Sequence, residues 1–301
     1  MDFFIQQFTN GLTVGGIYAL IALGYTMVYG VMKLINFAHG ELCTLGAYIG
    51  FTLLVTFNLS GVLGHVLGFT VTILLVCFLV ATGGHLLERV AYRPLRHSDR
   101  LAAVVSALGA SIFLQNAIML KWGAQYRAYR ADLLPSYTLN ILGQTIPVTR
   151  VLIFLTAVVV MLGLYIFINR TRIGMAIRAA AIDQGAAKLM GIDVSYVIAV
   201  VFIIGPALGG LAGLMVGLYY GQINFNMGQL YGLKAFTAAI IGGIGNIQGA
   251  MVGGLLLGLL ESLGAAYVSV AWKDALTFVV LIMILVVRPT GLLPERVAEK
   301  L

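Results

Sequence analysis

The sequence predicts an all-α, polytopic bundle of transmembrane helices, and three observations carry that expectation. Hydrophobic residues make up 60% of the 301-residue chain and charged residues only 10%, whereas a soluble domain carries roughly a quarter charged residues. Several uncharged runs approach or exceed the roughly 20 residues that a helix needs to cross a hydrocarbon core of about 30 Å. Those runs are continuous and lack the period-two alternation of a membrane β-barrel. In lipid only helices and closed barrels pair every backbone group.

The first uncharged run is Phe8 to Met32. Met1 to Gln7 lack the basic start and cleavage site of a secretory signal, so this run is expected to be retained. Leu42 to Gly84 is uncharged apart from a neutral His65. It is long enough for two spans, with "NLSG" (Asn58 to Gly61) as the turn between them. Leu101 to Leu120, Val151 to Asn169 and Val194 to Leu218 read as the fourth, fifth and sixth spans. Ala235 to Leu260 is apolar but broken by glycines at "GGIGNIQG", and Ala275 to Val287 is short and ends at "RPTG". About eight or nine membrane segments result, some broken or re-entrant. Tyr126 to Arg150, with alternating character and several Tyr and Thr, reads as a β-hairpin. Cys43 and Cys77 lie in apolar runs without metal spacing, as buried small hydrophobes.

A net charge of +7 in a soluble protein would point to nucleic acid. Here loop charge that sets orientation explains it. Alternation of the spans puts Lys33, Arg89, Arg93, Arg96, Arg100, Arg170, Arg172, Arg178, Lys188, Arg288, Arg296 and Lys300 on one side. Lys121, Arg127, Arg130 and Arg150 fall on the other. The richer side is expected to be cytoplasmic, with the N-terminus outside, the C-terminus inside and an odd number of crossings.

Gly205, Gly209, Gly213, Gly217 and Gly221 form a ladder at spacing four, and Gly249/Gly253 and Gly254/Gly258 repeat the spacing. Small residues at i and i+4 let helices approach closely in lipid, and packing within one bundle is expected over a dimer seam. "INFAHGELCTLGAY" and "GNIQGAMVGGLLLG" each set an Asn before a span of small residues, a weak hint of the internal repetition seen in transporters.

No phosphate-cradling G-x-x-x-x-G-K-[ST], H-E-x-x-H or G-x-S-x-G occurs, so no catalytic, metal or nucleotide site is expected on this chain. Ionisable residues near membrane depth are Lys33, His39, Glu41, Lys234 and Glu261, and charge at that depth is costly enough to mark function. Asn36, His39 and Glu41 are the candidates for the cytoplasmic half of a translocation path. The alternative places Lys33 and Glu41 at the interface, with Asn36 capping the second span.

Arg170 to Asp193 lies between two spans. Ile182, Ala186, Leu189 and Met190 follow i, i+4, i+7, i+8 and share one helical face, with Arg178, Gln184 and Lys188 largely off it and Gly191 as the stop. Such a short amphipathic helix can lie on anionic lipid, serve as a plain linker, or dock into a groove on a cytoplasmic partner. A pump without its own ATP site needs the last.

Four stretches carry a resemblance: "NGLTVGGIYALIALGYTMVYGVMKLINFAHGEL", "RTRIGMAIRAAAIDQGAAKLMGIDV", "GLKAFTAAIIGGIGNIQGAMVGG" and "RPTGLLP". Over essentially its whole length the chain resembles the LivH-like permease subunit of bacterial branched-chain amino acid ABC importers. The resemblance implies one permease domain over 1–301 in the inner membrane, with 170–193 as its cytoplasmic coupling loop. It also implies a second, LivM-like permease, two cytoplasmic ATPase subunits that bind the ATP, and a periplasmic binding protein delivering leucine, isoleucine or valine. The loop departs from the Glu-Ala-Ala pattern of other ABC permeases by having Ala in place of Glu; Arg178-Ala179 and Gly191 fit. Permeases for other small apolar or amide solutes, and secondary carriers or channels, are the alternatives.

Overall fold

The computed structural model describes residues 2–56, 62–96, 98–129, 137–141 and 144–293. Among them the expected spans appear as α1 (Asp2–Met32), α2 (His39–Thr56), α3 (Val62–Leu87), α4 (Arg100–Trp122) and α5 (Val148–Arg170). Two short helices follow, α6 (Arg172–Ile182) and α7 (Gln184–Leu189). Then come α8 (Val194–Tyr220), α9 (Met227–Gly242), α10 (Ile247–Tyr267) and α11 (Lys273–Val287). Among the described residues, seven helical segments have the length and apolar composition to cross a membrane; α2 and α9 are not among them. The chain is a multi-pass membrane protein. The "NLSG" turn lies outside the described residues.

Glycine decides which helices touch. The α8 ladder meets two different neighbours. A Cβ on Gly205 would lie 3.2 Å from the Gly24 carbonyl of α1, and one on Gly213 would strike the Cys43 carbonyl of α2. A Cβ on Gly217 would hit the Tyr129 ring, whereas Gly221 leaves the ladder to cap α8 in the left-handed conformation. The two glycine pairs of α10 serve opposite faces. Gly249 and Gly253 lie against Gly242 and Ala238 of α9, while Gly254 and Gly258 lie against Ala19 and Gly15 of α1. Helices α1 and α8 are consequently central and buried, whereas α4, α5 and α11 present exposed side chains such as Phe113, Val159 and Val286. An apolar outer face suits lipid and not water.

The bundle has two distinct ends. At one, strands β1 (Arg127–Ala128) and β4 (Gln222–Ile223) pair antiparallel, as do β2 (Thr138–Ile141) and β3 (Gln144–Pro147), the hairpin read from the sequence. Arg150 reaches Asn10 Oδ1 (2.6 Å) and Ser262 reaches the Gln7 carbonyl (2.8 Å) there. At the other end Gln184 donates to the Val31 carbonyl (2.6 Å), Arg96 to Ser195 Oγ (3.2 Å), and Asn246 to the Leu293 carbonyl (3.0 Å). Lys33, the arginines after α3, helices α6 and α7 and Arg288 thus gather at this second end.

Two helices start part-way through the height of the bundle, α2 buried at His39 to Glu41 and α9 with Met227 and Gly228 buried. Below α1 the chain turns at Lys33 (φ 53°) and climbs back to His39. The His39 ring sits between Gly24 and Gly209, and Gly209 is near the middle of α8. After Gly221, the chain descends to Met227, and Gly228 in the first turn of α9 is pressed against Gly40 and Thr44. The "GGIGNIQG" break is also present, as the turn from Gly243 (φ 106°) to Asn246 that joins α9 to α10.

Candidate functional site

Three side-chain caps shape the loop at the basic end. Thr171 Oγ1 accepts from the Gly174 amide (3.0 Å), Asp183 from Gly185 (2.7 Å) and Ala186 (3.1 Å), and Asp193 from Ser195 (2.9 Å). The single helix expected from Ile182 to Met190 is therefore broken. Asp183 is extended, ending α6 at Ile182 and starting α7 at Gln184. A short acidic side chain is worth more capping a first turn than inside a helix. Ile182, Leu189 and Met190 are 67%, 91% and 82% exposed, and Ala186, Lys188 and Gly191 are exposed beside them. Ala187, not Ala186, faces the bundle. Gly191 (φ 82°) turns the chain toward α8. Arg178 donates to the Ile168 carbonyl of α5, satisfying a C-terminal carbonyl of that helix. With the Gln184 bond to α1, this fixes the loop to two spans.

The three polar residues before and within α2 separate in the structure. Asn36 is buried, and its Oδ1 accepts from the Ala38 amide (3.1 Å) and from Tyr92 Oη (2.7 Å), so it shapes the turn into α2. A single π-helical turn, Glu88–Tyr92, delivers that tyrosine, and Arg96 pairs with Glu88 beneath it. His39 is fully buried, edge-on to Tyr25 at 4.6 Å. Neither Asn36 nor His39 lines the cavity beside α2. Glu41 does: it lines a cavity of about 270 Å³ with Tyr25, Phe37, Leu108, Ile112 and Phe236. It sits in the first turn of α2 and is buried, not at the interface that the alternative reading gave it.

Lys234 and Glu261, singled out one by one in the sequence, form a second polar group whose pairing the sequence did not show because the two are distant along the chain. Lys234 and Glu261, 3% and 2% exposed, bond at 3.0 Å. Lys234 also reaches Asp274 (2.6 Å), Lys273 reaches Glu261 (2.6 Å), and Tyr18 Oη donates to the other Glu261 oxygen (2.7 Å). Two cations and two anions thus join α1, α9, α10 and α11. The available signal was the pair of opposite charges inside apolar runs, but the expected run began at Ala235 and ended at Leu260, leaving both at its edges.

The family model described as branched-chain amino acid transport system / permease component matches residues 7–285. The high-affinity branched-chain amino acid transport system permease protein BraD of Pseudomonas aeruginosa is 46% identical, over 99% of this chain and 98% of its own length. LivH of Escherichia coli K12, described in the same words, is 44% identical over 99% and 98%. A probable branched-chain amino acid transport permease protein LivH of Methanocaldococcus jannaschii is 27% identical over 94% and 90%. With its interior glycine packing, interior helix starts and exposed loop at the basic end, and with a family match along nearly its whole length, the chain belongs to the branched-chain amino acid transport permease family.

Proposed function

We propose that this chain is a membrane-spanning subunit of an ATP-driven importer that moves leucine, isoleucine and valine across the bacterial inner membrane. The basic end is cytoplasmic, and the hairpin and the start of α1 are periplasmic. A second, LivM-like permease completes the membrane unit. Two cytoplasmic ATPases bind and hydrolyse ATP, and a periplasmic binding protein delivers the solute. Full-length similarity to branched-chain amino acid transport permeases carries the reading. The coupling device is the loop over 170–193: Ile182, Leu189 and Met190 are exposed apolar side chains at the end richest in positive charge. An apolar helix seated in a groove can pass a rigid shift to packed spans. Gln184 and Arg178 supply the attachment, to α1 and α5.

One observation favours a second reading. Glu41 and Glu261 are both deeply buried, as in a proton-coupled carrier. Glu261 is already neutralised by two lysines, and the family relationship outweighs the burial of Glu41 alone.

The coupling role is tested by cross-linking. Ala186→Cys is expected to cross-link to the ATPase, with a yield that changes when ATP is added. Leu189→Asp is expected to release or uncouple the ATPase while the membrane bundle assembles normally, since Leu189 is 91% exposed and supports little of the fold. No cross-link in any nucleotide state, together with wild-type transport by Leu189→Asp, would leave α7 a surface anchor on lipid.

A further inference from the structure

We propose that Glu41 holds the substrate: its carboxylate takes the ammonium group of the amino acid in transit, inside the cavity between α2, α4 and α9. The inference rests on the amino-acid permease reading and adds the place where the solute is bound.

Glu41 differs from the other two buried acids among the described residues. Glu88 has Arg96, and Glu261 has Lys234 and Lys273. Glu41 is only 3% exposed, no cation is paired with it among the described residues, and its Oε2 accepts no hydrogen bond. The N-terminal turn of α2 offsets part of its charge, but gives that oxygen no donor. A buried carboxylate without a partner is costly, and this one faces open volume. Such a group takes up either a proton or a cation from outside the chain, and the ammonium of a solute in the adjoining cavity is the cation proposed here.

The cavity suits a small zwitterion with an aliphatic side chain. Its volume of about 270 Å³ lies just below the ~300 Å³ lower bound usual for small-molecule sites. Phe37, Leu108, Ile112 and Phe236 supply an apolar wall for a branched side chain. The opposite wall includes Gly228, in the first turn of α9. That turn has no side-chain cap, because Asn226 Oδ1 accepts from Gln115 instead (2.6 Å). An interior helix start of this kind favours an anion, here the substrate carboxylate. Leu108 and Ile112 are exposed, so the cavity opens sideways between α4 and α9. The expected selectivity is for a free ammonium: a carboxylic acid of the same shape without the amine leaves Glu41 unpaired.

The test uses the full complex, with its second permease, ATPases and binding protein, in proteoliposomes. Glu41→Gln keeps the shape and removes the charge. Leucine moved per ATP hydrolysed is expected to fall at least about tenfold, the loss of one charge-assisted hydrogen bond. ATP hydrolysis stimulated by loaded binding protein should persist, whereas a merely structural role for Glu41 would lower both together. Glu41→Asp should retain part of the transport. A leucine-to-ATP ratio within twofold of wild type for Glu41→Gln overturns the proposal, as does a parallel loss of transport and ATPase. A loss seen only in vesicles containing phosphatidylethanolamine assigns the ammonium to lipid and also overturns it. Should Glu41→Gln fail to assemble, Ile112→Trp decides, since it fills the cleft from an exposed position: retained leucine transport by an assembled Ile112→Trp complex contradicts the site. Failure of the wild-type complex to take up leucine at all would instead overturn the permease reading.

Discussion

Gly213→Leu is expected to abolish recovery of a folded, assembled protein. A Cβ at this position would collide with the Cys43 carbonyl of α2 and lie 3.0 Å from the Ala47 amide. Both are backbone atoms of a buried helix, so no rotamer change relieves the clash. The helices would have to part, and α2 is held against α8 along its length by neighbouring contacts at Gly46 and Gly50. Overpacking of a core typically costs about 1–3 kcal/mol, and a clash with backbone belongs at or beyond the top of that range. Gly163→Leu on α5 is the matched control, because a Cβ there meets nothing within 4 Å. Yield of monodisperse protein in detergent, with thermal unfolding, separates the two. Normal yield of Gly213→Leu would show that α2 and α8 are not locked as described.

Glu261→Leu is expected to destabilise the bundle strongly and to be rescued by a second loss. Removing the carboxylate leaves Lys234 paired with Asp274 and takes away the acid that Lys273 pairs with, so one positive charge is in excess. Breaking a buried ion pair from one side costs roughly 3–5 kcal/mol, whereas replacing both partners with apolar groups is often close to neutral. Lys234→Met with Glu261→Leu leaves Lys273 and Asp274, which balance each other and are both partly solvated. The double variant should then be more stable than Glu261→Leu alone, a positive coupling readable in a double-mutant cycle of unfolding temperatures. Additive penalties would mean that the four charges do not act as one network.

The membrane bundle was legible because its signal is composition. Apolar run lengths placed α4, α5 and α8 closely, α1 begins at Asp2 ahead of the expected Phe8, and the hairpin expected within Tyr126 to Arg150 occupies Thr138–Ile141 and Gln144–Pro147. Depth was not legible. Nothing in the spacing around Asn36 or Asn226 says that the next helix starts at mid-height, because that is set by what Gly24, Gly40 and Gly209 allow to approach. The sequence therefore left Glu41 open between a path and the interface, and it is interior. The Lys234–Glu261 bond spans two helices whose relative rotation follows from Gly249 and Gly253, a contact that no one-dimensional period encodes. Within the loop over 170–193, the apolar residues were readable and the break was not. The periodicity continued through Asp183, whose capping preference prevailed.

The energy source of uptake bears most directly on the whole. Radiolabelled leucine is supplied to proteoliposomes holding this chain with its second permease and ATPases, with binding protein on the outside and ATP enclosed. Uptake is expected to require both ATP and binding protein, and to be indifferent to an imposed proton gradient. Leucine accumulation by this chain alone, driven by a proton gradient without ATP, would contradict the permease assignment and make the buried Glu41 a proton carrier.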